Sequence, residues 1–233
     1  MFNGNKGQFL CSSRTPQIPR FFSMTRDFYT HSDVVQISRC LLGKYLMTRF
    51  EGVLTGGIIV ETEAYCGATD AACHAFPNRY TERTRTMYAQ GGRAYIYLCY
   101  GIHRLFNIVT NTEGKADAVL IRAIEPTHGI NAMYDRRRLN QPSHTARPNY
   151  RLTAGPGCVA QALGIGLEHN AYDLLPNTDP PNPIWIDYAP DLPDHQIVTS
   201  TRIGVEGAGV DAAALPWRFY VRHNKWVSAN KHG

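Results

Sequence analysis

The stretch Arg93 to Tyr100 alternates without a break: Tyr95, Tyr97 and Cys99 fall on one face, and Ile96, Leu98 and Tyr100 on the other. That period belongs to a strand. Gly101-Ile102-His103 then makes a turn, Leu105 to Thr110 returns as a second strand, and Ala118 to Ile124 follows as a third. Strands joined by so short a turn pair antiparallel, because a parallel pair needs a crossover of about a dozen residues or more. Leu46 to Arg49 and Gly57 to Tyr65 read as a further strand pair. The predicted fold is therefore α+β: one domain with a curved, mainly antiparallel sheet flanked by helices, and a groove across the sheet.

Helices are fewer. Val34, Ile37 and Leu41 fall at helical spacing from about Ser32, Val35 and Leu42 widen the stripe, and Gly43 closes it. A short helix after Pro126 carries Arg136-Arg137-Arg138, which reads as a solvated face ahead of a specific clamp for an anionic partner. Gly155-Pro156 opens another helix, through Leu163. Residues 66–92 and 140–150 read as loops, and the proline-dense stretch 176–194 as an irregular excursion. Gln196 to Val205 and Trp217 to Val227 read as the last two strands. Residues 1–21 are expected to be a disordered extension, and 22–233 the single domain.

The chain has 233 residues, enough for a packed core, and no apolar run of about 18 residues that would span a membrane. Its six cysteines include no CxxC pair, and dense disulfide frameworks belong to small secreted chains, which this is not, so reduced thiols are expected, in a cytoplasmic (nucleoid) protein if bacterial or a nuclear one if eukaryotic. Net charge is +5, and of 24 basic residues 19 are Arg and 5 Lys. Arg suits bidentate phosphate contacts, which points weakly to an anionic partner.

The chemistry concentrates around Glu63. It ends the β-branched run Ile58-Ile59-Val60 and shares a face with Tyr65. With it stand His74 in the Arg-rich loop, the tyrosines of 95–100, and Asn107 and Arg122 on the strands beyond. This set fits a slot for a flat, electron-poor ring, which aromatic faces bind by stacking, more strongly if the ring is cationic. A carboxylate beside such a slot activates a water. Arg122, in an apolar strand, needs an anionic partner; it can hold a phosphate or the water, and Glu63 as its purely structural partner is the plain alternative. A single acid suffices if the leaving group is already cationic, whereas ordinary glycosides need two carboxylates. Neutral bases would need a proton, through a water or His74. Cys66, Cys73, His74 and Cys99 match no zinc spacing, and no metal or organic cofactor is expected.

Five segments then occur in order: Glu61-Thr62-Glu63-Ala64-Tyr65, Tyr95 to Gly101, Val119 to Pro126, Gly155-Pro156-Gly157, and Arg218 to Arg222. In these the chain resembles the alkyladenine (3-methyladenine) DNA glycosylase family of mammalian type, from about Phe22 to about Val227, with a fold like that of the formyltransferase C-terminal domain. The resemblance implies that Glu63 is the general base, that Arg122 places the water and a phosphate, and that the Ile203 carbonyl completes the water site. It implies that Tyr65, His74 and Tyr97 wall the flipped base, with His74 also donating a hydrogen bond to the nucleotide. Asn107 would meet the guanine amine, and Tyr100 would be the wedge in the duplex, supported by Met87 and Leu120. Tyr95 is assigned to the core. The implied activity is excision of alkylated or deaminated purines from double-stranded DNA, from the minor-groove side, by a monomer whose abasic product passes to an endonuclease. No lysine stands near the motifs for a Schiff base, so a monofunctional enzyme is expected. Two departures stand out. Cys158 replaces a basic residue after Gly-Pro, which should make the salt slope of binding shallower by roughly one unit, and the loop 75–92 differs from the family pattern. The rival classes are a non-catalytic nucleic-acid-binding module and a zinc deaminase; the latter lacks its signatures.

Overall fold

A computed structural model describes residues 24–141, 148–176, 178–179 and 181–228. The extension expected at 1–21 and most of the 140–150 loop lie outside them. In chain order the elements are α1 (Arg26–Thr30), α2 (Val34–Cys40), β1 (Tyr45–Phe50), β2 (Val53–Cys66), β3 (Ala94–Cys99), β4 (His103–Thr110), β5 (Asp117–His128), α3 (Ile130–Arg137), α4 (Pro156–Leu163), β6 (Ile184–Asp187), β7 (Ile197–Ser200), α5 (Val210–Ala214) and β8 (Arg218–Val221). All eight strands join one antiparallel sheet, ordered β3-β4-β5-β2-β1-β6, with β8 pairing β2 and β7 pairing β8.

β2 is the axis of this sheet. Its first half pairs β1, its second half pairs β8 through Glu61, Thr62 and Glu63, and its other edge pairs β5 from Gly56 to Cys66. Strand alternation divides its side chains. Thr62 and Ala64 face the main core, where Thr62 Oγ1 donates to the Ser38 carbonyl of α2 at 2.9 Å. Phe106, Ile108, Val119, Ile121 and the apolar side of α4 complete that layer. Glu61, Glu63 and Tyr65 point to the opposite face, where the 66–92 loop folds back over a second, smaller cluster of Cys73, Ala75, Met87, Tyr95, Val109 and Ala118.

The predicted strands and the Gly155-Pro156 helix start appear where expected, and several boundaries move. The excursion 176–194 contains β6, whose Ile184 and Ile186 are buried and which is held by backbone pairing to β1. The last two strands are shorter than predicted, four residues each. β5 continues through Pro126, where a register shift next to Gly57 accommodates the missing N–H. α1 and α5 were not predicted. Their five-residue lengths leave no periodicity to read, and α1 is kept by burial of Phe28 and Tyr29. Nor are Arg136 and Arg137 a solvated face. Arg136 donates to Thr55 and the Ala162 carbonyl, Arg137 to the carbonyls of Leu152 and Arg151 and to Gln161, and Arg138 leaves the helix in a left-handed conformation.

Gly57 sits against the backbone of β5. A Cβ there would strike the Glu125 carbonyl oxygen and press on Pro126, both backbone and unable to swing away. Gly57→Ala should therefore lower stability by about 1–3 kcal/mol, the usual cost of overpacking. Gly207→Ala, with nothing near its would-be Cβ, should stay within about 0.5 kcal/mol. Urea unfolding of the two variants checks this, and equal midpoints would refute it.

Candidate active site

Sheet register brings the chemistry-bearing residues into one line. Tyr95 pairs Asn107, Asn107 pairs Leu120, Leu120 pairs Glu63, and Glu63 pairs Arg218. Directly opposed residues share a face, so these five strands present one row to the 66–92 loop. Arg122 enters from a bulge: Ile121 pairs Thr62 and Ala123 pairs Glu61, which leaves Arg122 as the extra residue. Bulges re-aim side chains, and this one delivers a guanidinium between two acids. Arg122 Nε donates to Glu61 Oε1 at 3.0 Å and its terminal nitrogen to Glu63 Oε2 at 3.1 Å. Burial pulls the Arg122 pKa down, but the charges of Glu63 and Glu61 outweigh it and leave it raised.

The two acids have different surroundings. Glu61 accepts from Arg122 Nε, Arg218 Nε (2.7 Å), the Ser228 N–H (2.7 Å) and the Ser228 hydroxyl (2.8 Å). Three of these donors converge on Oε1 and one, the Ser228 N–H, reaches Oε2. Glu63 accepts from the Tyr65 hydroxyl at 2.7 Å, Arg122 at 3.1 Å and the Ile203 N–H at 2.8 Å. Its Oε1 takes a single donor, the Ile203 N–H. Both acids are 0% exposed. Ile203 thus meets Glu63 through its N–H.

Tyr65 is held on two sides. Its hydroxyl is on Glu63, and the Arg202 guanidinium lies 4.7 Å from its ring centre. Burial, then the charge of Glu63, raises its pKa well above the usual phenol range. Arg202 is itself fixed by a buried fork onto Asp70 (2.5 and 2.7 Å) and by the carbonyls of Ala64 and Ala212. His74 sits edge-on to Tyr97, with ring centres 4.5 Å apart and planes at 79°. Its Nδ1 lies 3.0 Å from the Tyr95 hydroxyl and its Nε2 3.1 Å from Arg83. Both ring nitrogens are thereby engaged, so donation from His74 to a nucleotide, as the family resemblance implies, would require Arg83 to leave. Asn107 is buried and donates to the carbonyls of Tyr95 and Leu105, which fixes its amide plane.

Met87 and Leu120, expected to support the wedge, are 2% and 3% exposed and lie in the interior. Tyr100 is 88% exposed at the β3–β4 turn, with a left-handed φ of 50° ahead of Gly101 at 73°. Two successive positive φ values suit a tight hairpin turn. Beside it Ile102 is also exposed. Sequence reasoning missed Glu61, Asp70, Arg83, Arg202 and Arg218, and gave Tyr95 a core role only. Glu61 had a signal, since it alternates with Glu63 onto the same face. Asp70 and Arg202 lie 132 residues apart and had none.

A buried acid beside aromatic walls on an antiparallel sheet suits a flat base, and the relatives of the chain make its class that of a DNA glycosylase, a base-excision repair hydrolase acting on N-glycosidic bonds. The chain belongs to the methylpurine-DNA glycosylase family, which it matches over residues 27–225. It is 43% identical to a Chlamydia felis protein over 202 residues and 42% identical to one from Clostridium tetani over 204, each covering 87% of this chain and 97% of the relative. A Natranaerobius thermophilus protein is 38% identical over 198 residues, 85% of this chain and 95% of its own. Each is named "Putative 3-methyladenine DNA glycosylase".

Glu61 is the counter-charge for two buried guanidiniums, so Glu61→Gln strands charge in the interior. A broken buried pair costs about 3–5 kcal/mol. That loss of unfolding free energy is the expected result in urea titration, and a loss below about 1 kcal/mol would show that the cluster does not depend on this carboxylate.

Proposed function

We propose that the protein flips alkylated or deaminated purines out of double-stranded DNA and hydrolyses their N-glycosidic bond with a water activated by Glu63. The observation that carries this is the setting of Glu63: of the two buried acids it is the one bonded to the aromatic wall, through the Tyr65 hydroxyl, and its Oε1 takes a single donor, the Ile203 N–H, whereas Glu61 is tied to Arg122, Arg218 and Ser228. In the step proposed, the water oxygen bonds to C1′, Glu63 takes a water proton, and the electron pair of the C1′–N bond leaves with the base. A cationic base departs neutral and needs no acid. The product is an abasic site with a hydroxyl at C1′, a substrate for an abasic-site endonuclease. Glu63 is closed off from bulk solvent, so the reading also requires an opening beside its carboxylate when the nucleotide enters.

The remaining roles follow from position. Tyr65, Tyr97 and His74 form the walls, where each base–aromatic stack is worth about 1–3 kcal/mol. Those contacts offset the roughly few kcal/mol that flipping costs. Arg122 orients Glu63 through its hydrogen bond to Oε2. Asn107, its amide pinned to backbone, is a rigid obstacle to a guanine amino group. Tyr100 enters the minor groove and replaces the lost stacking, as apolar and aromatic wedges do. The protein acts as a monomer on one lesion at a time.

Glu63→Gln should retain affinity for a duplex containing 1,N6-ethenoadenine, hypoxanthine or 3-methyladenine and lose excision by about a hundredfold to ten-thousandfold, the usual worth of a general base. Single-turnover excision followed by alkaline cleavage measures this. Excision equal to that of the parent would falsify the general-base role, and binding without excision by the parent would favour a non-catalytic module. Tyr100→Ser should bind lesion duplexes more weakly in a fluorescence titration; unchanged affinity would remove the wedge.

A further inference from the structure

We propose that Arg83 is a positioning residue that holds His74 as one neutral tautomer, with the proton on Nδ1 and Nε2 an acceptor. A guanidinium only donates hydrogen bonds. Arg83 lies 3.1 Å from His74 Nε2, so that nitrogen must offer its lone pair. The ring proton is then on Nδ1 and is donated to the Tyr95 hydroxyl at 3.0 Å. Tyr95 is 2% exposed and cannot turn away from the ring. Arg83 has a second hold, since its guanidinium carbon lies 5.4 Å from the centre of the Tyr97 ring. His74 meets that same ring edge-on, so arginine, histidine and tyrosine form one packed unit.

The charges around the ring agree with this. The groups facing His74 are Arg83 from the loop and Tyr95 and Tyr97 from β3, with Cys73 next to it in the chain. Burial raises both phenols, Tyr95 to about 12, and burial raises the Cys73 thiol to about 12, so all three are neutral. No carboxylate is paired with His74 among the described residues. Burial first, and then the Arg83 charge, lowers the His74 pKa to about 4. A second proton would set Nε2–H against an arginine N–H and place two cations in contact.

The consequence deepens the proposed function, on which it rests for the role of the pocket. His74 has no proton to give near neutrality. Cationic lesions need none, and neutral ones such as hypoxanthine must be protonated from another source. Removing Arg83 should release the ring, with Nδ1 free to accept from Tyr95 and Nε2 free to protonate.

The test reads His74 directly, by 15N NMR of histidine-labelled protein, with His74→Gln to assign the signals. The parent should show an unprotonated Nε2, a protonated Nδ1 and a midpoint near 4. Arg83→Met, which keeps the stem and loses the donors, should move the proton to Nε2 and raise the midpoint, though short of 6.5 because burial, the larger cause, remains. Arg83→Lys, again a cationic donor, should restore the parent pattern. A parent with Nε2–H, or an Arg83→Met protein that keeps both tautomer and midpoint, would overturn the proposal. The second readout is the pH profile of hypoxanthine excision. Arg83→Met should gain a rise below its new midpoint that disappears in Arg83→Met/His74→Gln; a shifted midpoint without that rise would overturn the consequence for catalysis. Parent protein with the expected NMR pattern but no excision of any lesion would leave the tautomer assignment supported and reject the proposed function instead.

Discussion

Three strands of this sheet meet at a buried cluster of two acids and two arginines, and the rest of the architecture is arranged so that it survives. Removing each such ion from water costs several kcal/mol even after relaxation. That cost is offset only when every charge is paired and most lone pairs and protons are used. Glu61 and Glu63 come from β2, Arg122 from β5 and Arg218 from β8, so no single element can hold the set. The β5 bulge aims Arg122 between the acids. The C-terminal residues return so that Ser228 can give both its N–H and its hydroxyl to Glu61. Folding of the distant chain end and geometry at Glu63 are therefore one problem.

Period-two alternation lets this polar cluster coexist with an ordinary core. From Glu61 onward every second side chain of β2 goes to the helical layer, so packing there is independent of the acids one position away. On the other face the long loop does not build a second hydrophobic layer of equal size. Its cluster is small and tyrosine-rich, and the phenol groups of Tyr65 and Tyr95 each have a polar partner. Aromatic rings suit that boundary because one end is apolar and the other carries a hydrogen-bonding group. A site for a flat ring then needs no separate pocket-forming element.

What could be read from sequence was what local rules dictate. Alternation marked β3, β4 and β5, glycine followed by proline marked the start of α4, and an acid and an arginine in apolar runs marked Glu63 and Arg122. What could not be read depended on pairing at long range. Ile184 to Asp187 is four residues among prolines and becomes a strand only because the edge of β1 is open to it. The Asp70–Arg202 fork that backs Tyr65 joins two unremarkable loops. Arg83 looked like one basic residue among many in a loop, and its meaning lies in which nitrogen of His74 it reaches.

The arginine bias shows how a compositional hint can have another cause. An excess of Arg over Lys suggested phosphate contacts. Yet Arg122, Arg202 and Arg218 are buried and spend their N–H groups on carboxylates and carbonyls inside the protein, and Arg136 and Arg137 fasten α3 to α4. Each of these bridges two or more acceptors in a plane, which a lysine ammonium on a flexible stem reproduces poorly. Much of the bias is thus architectural. The charge left for an anionic partner resides in exposed side chains such as Arg79, Arg83 and Arg104. Among these Arg83 is already bound to the site, so the electrostatic rim and the aromatic wall are physically connected there.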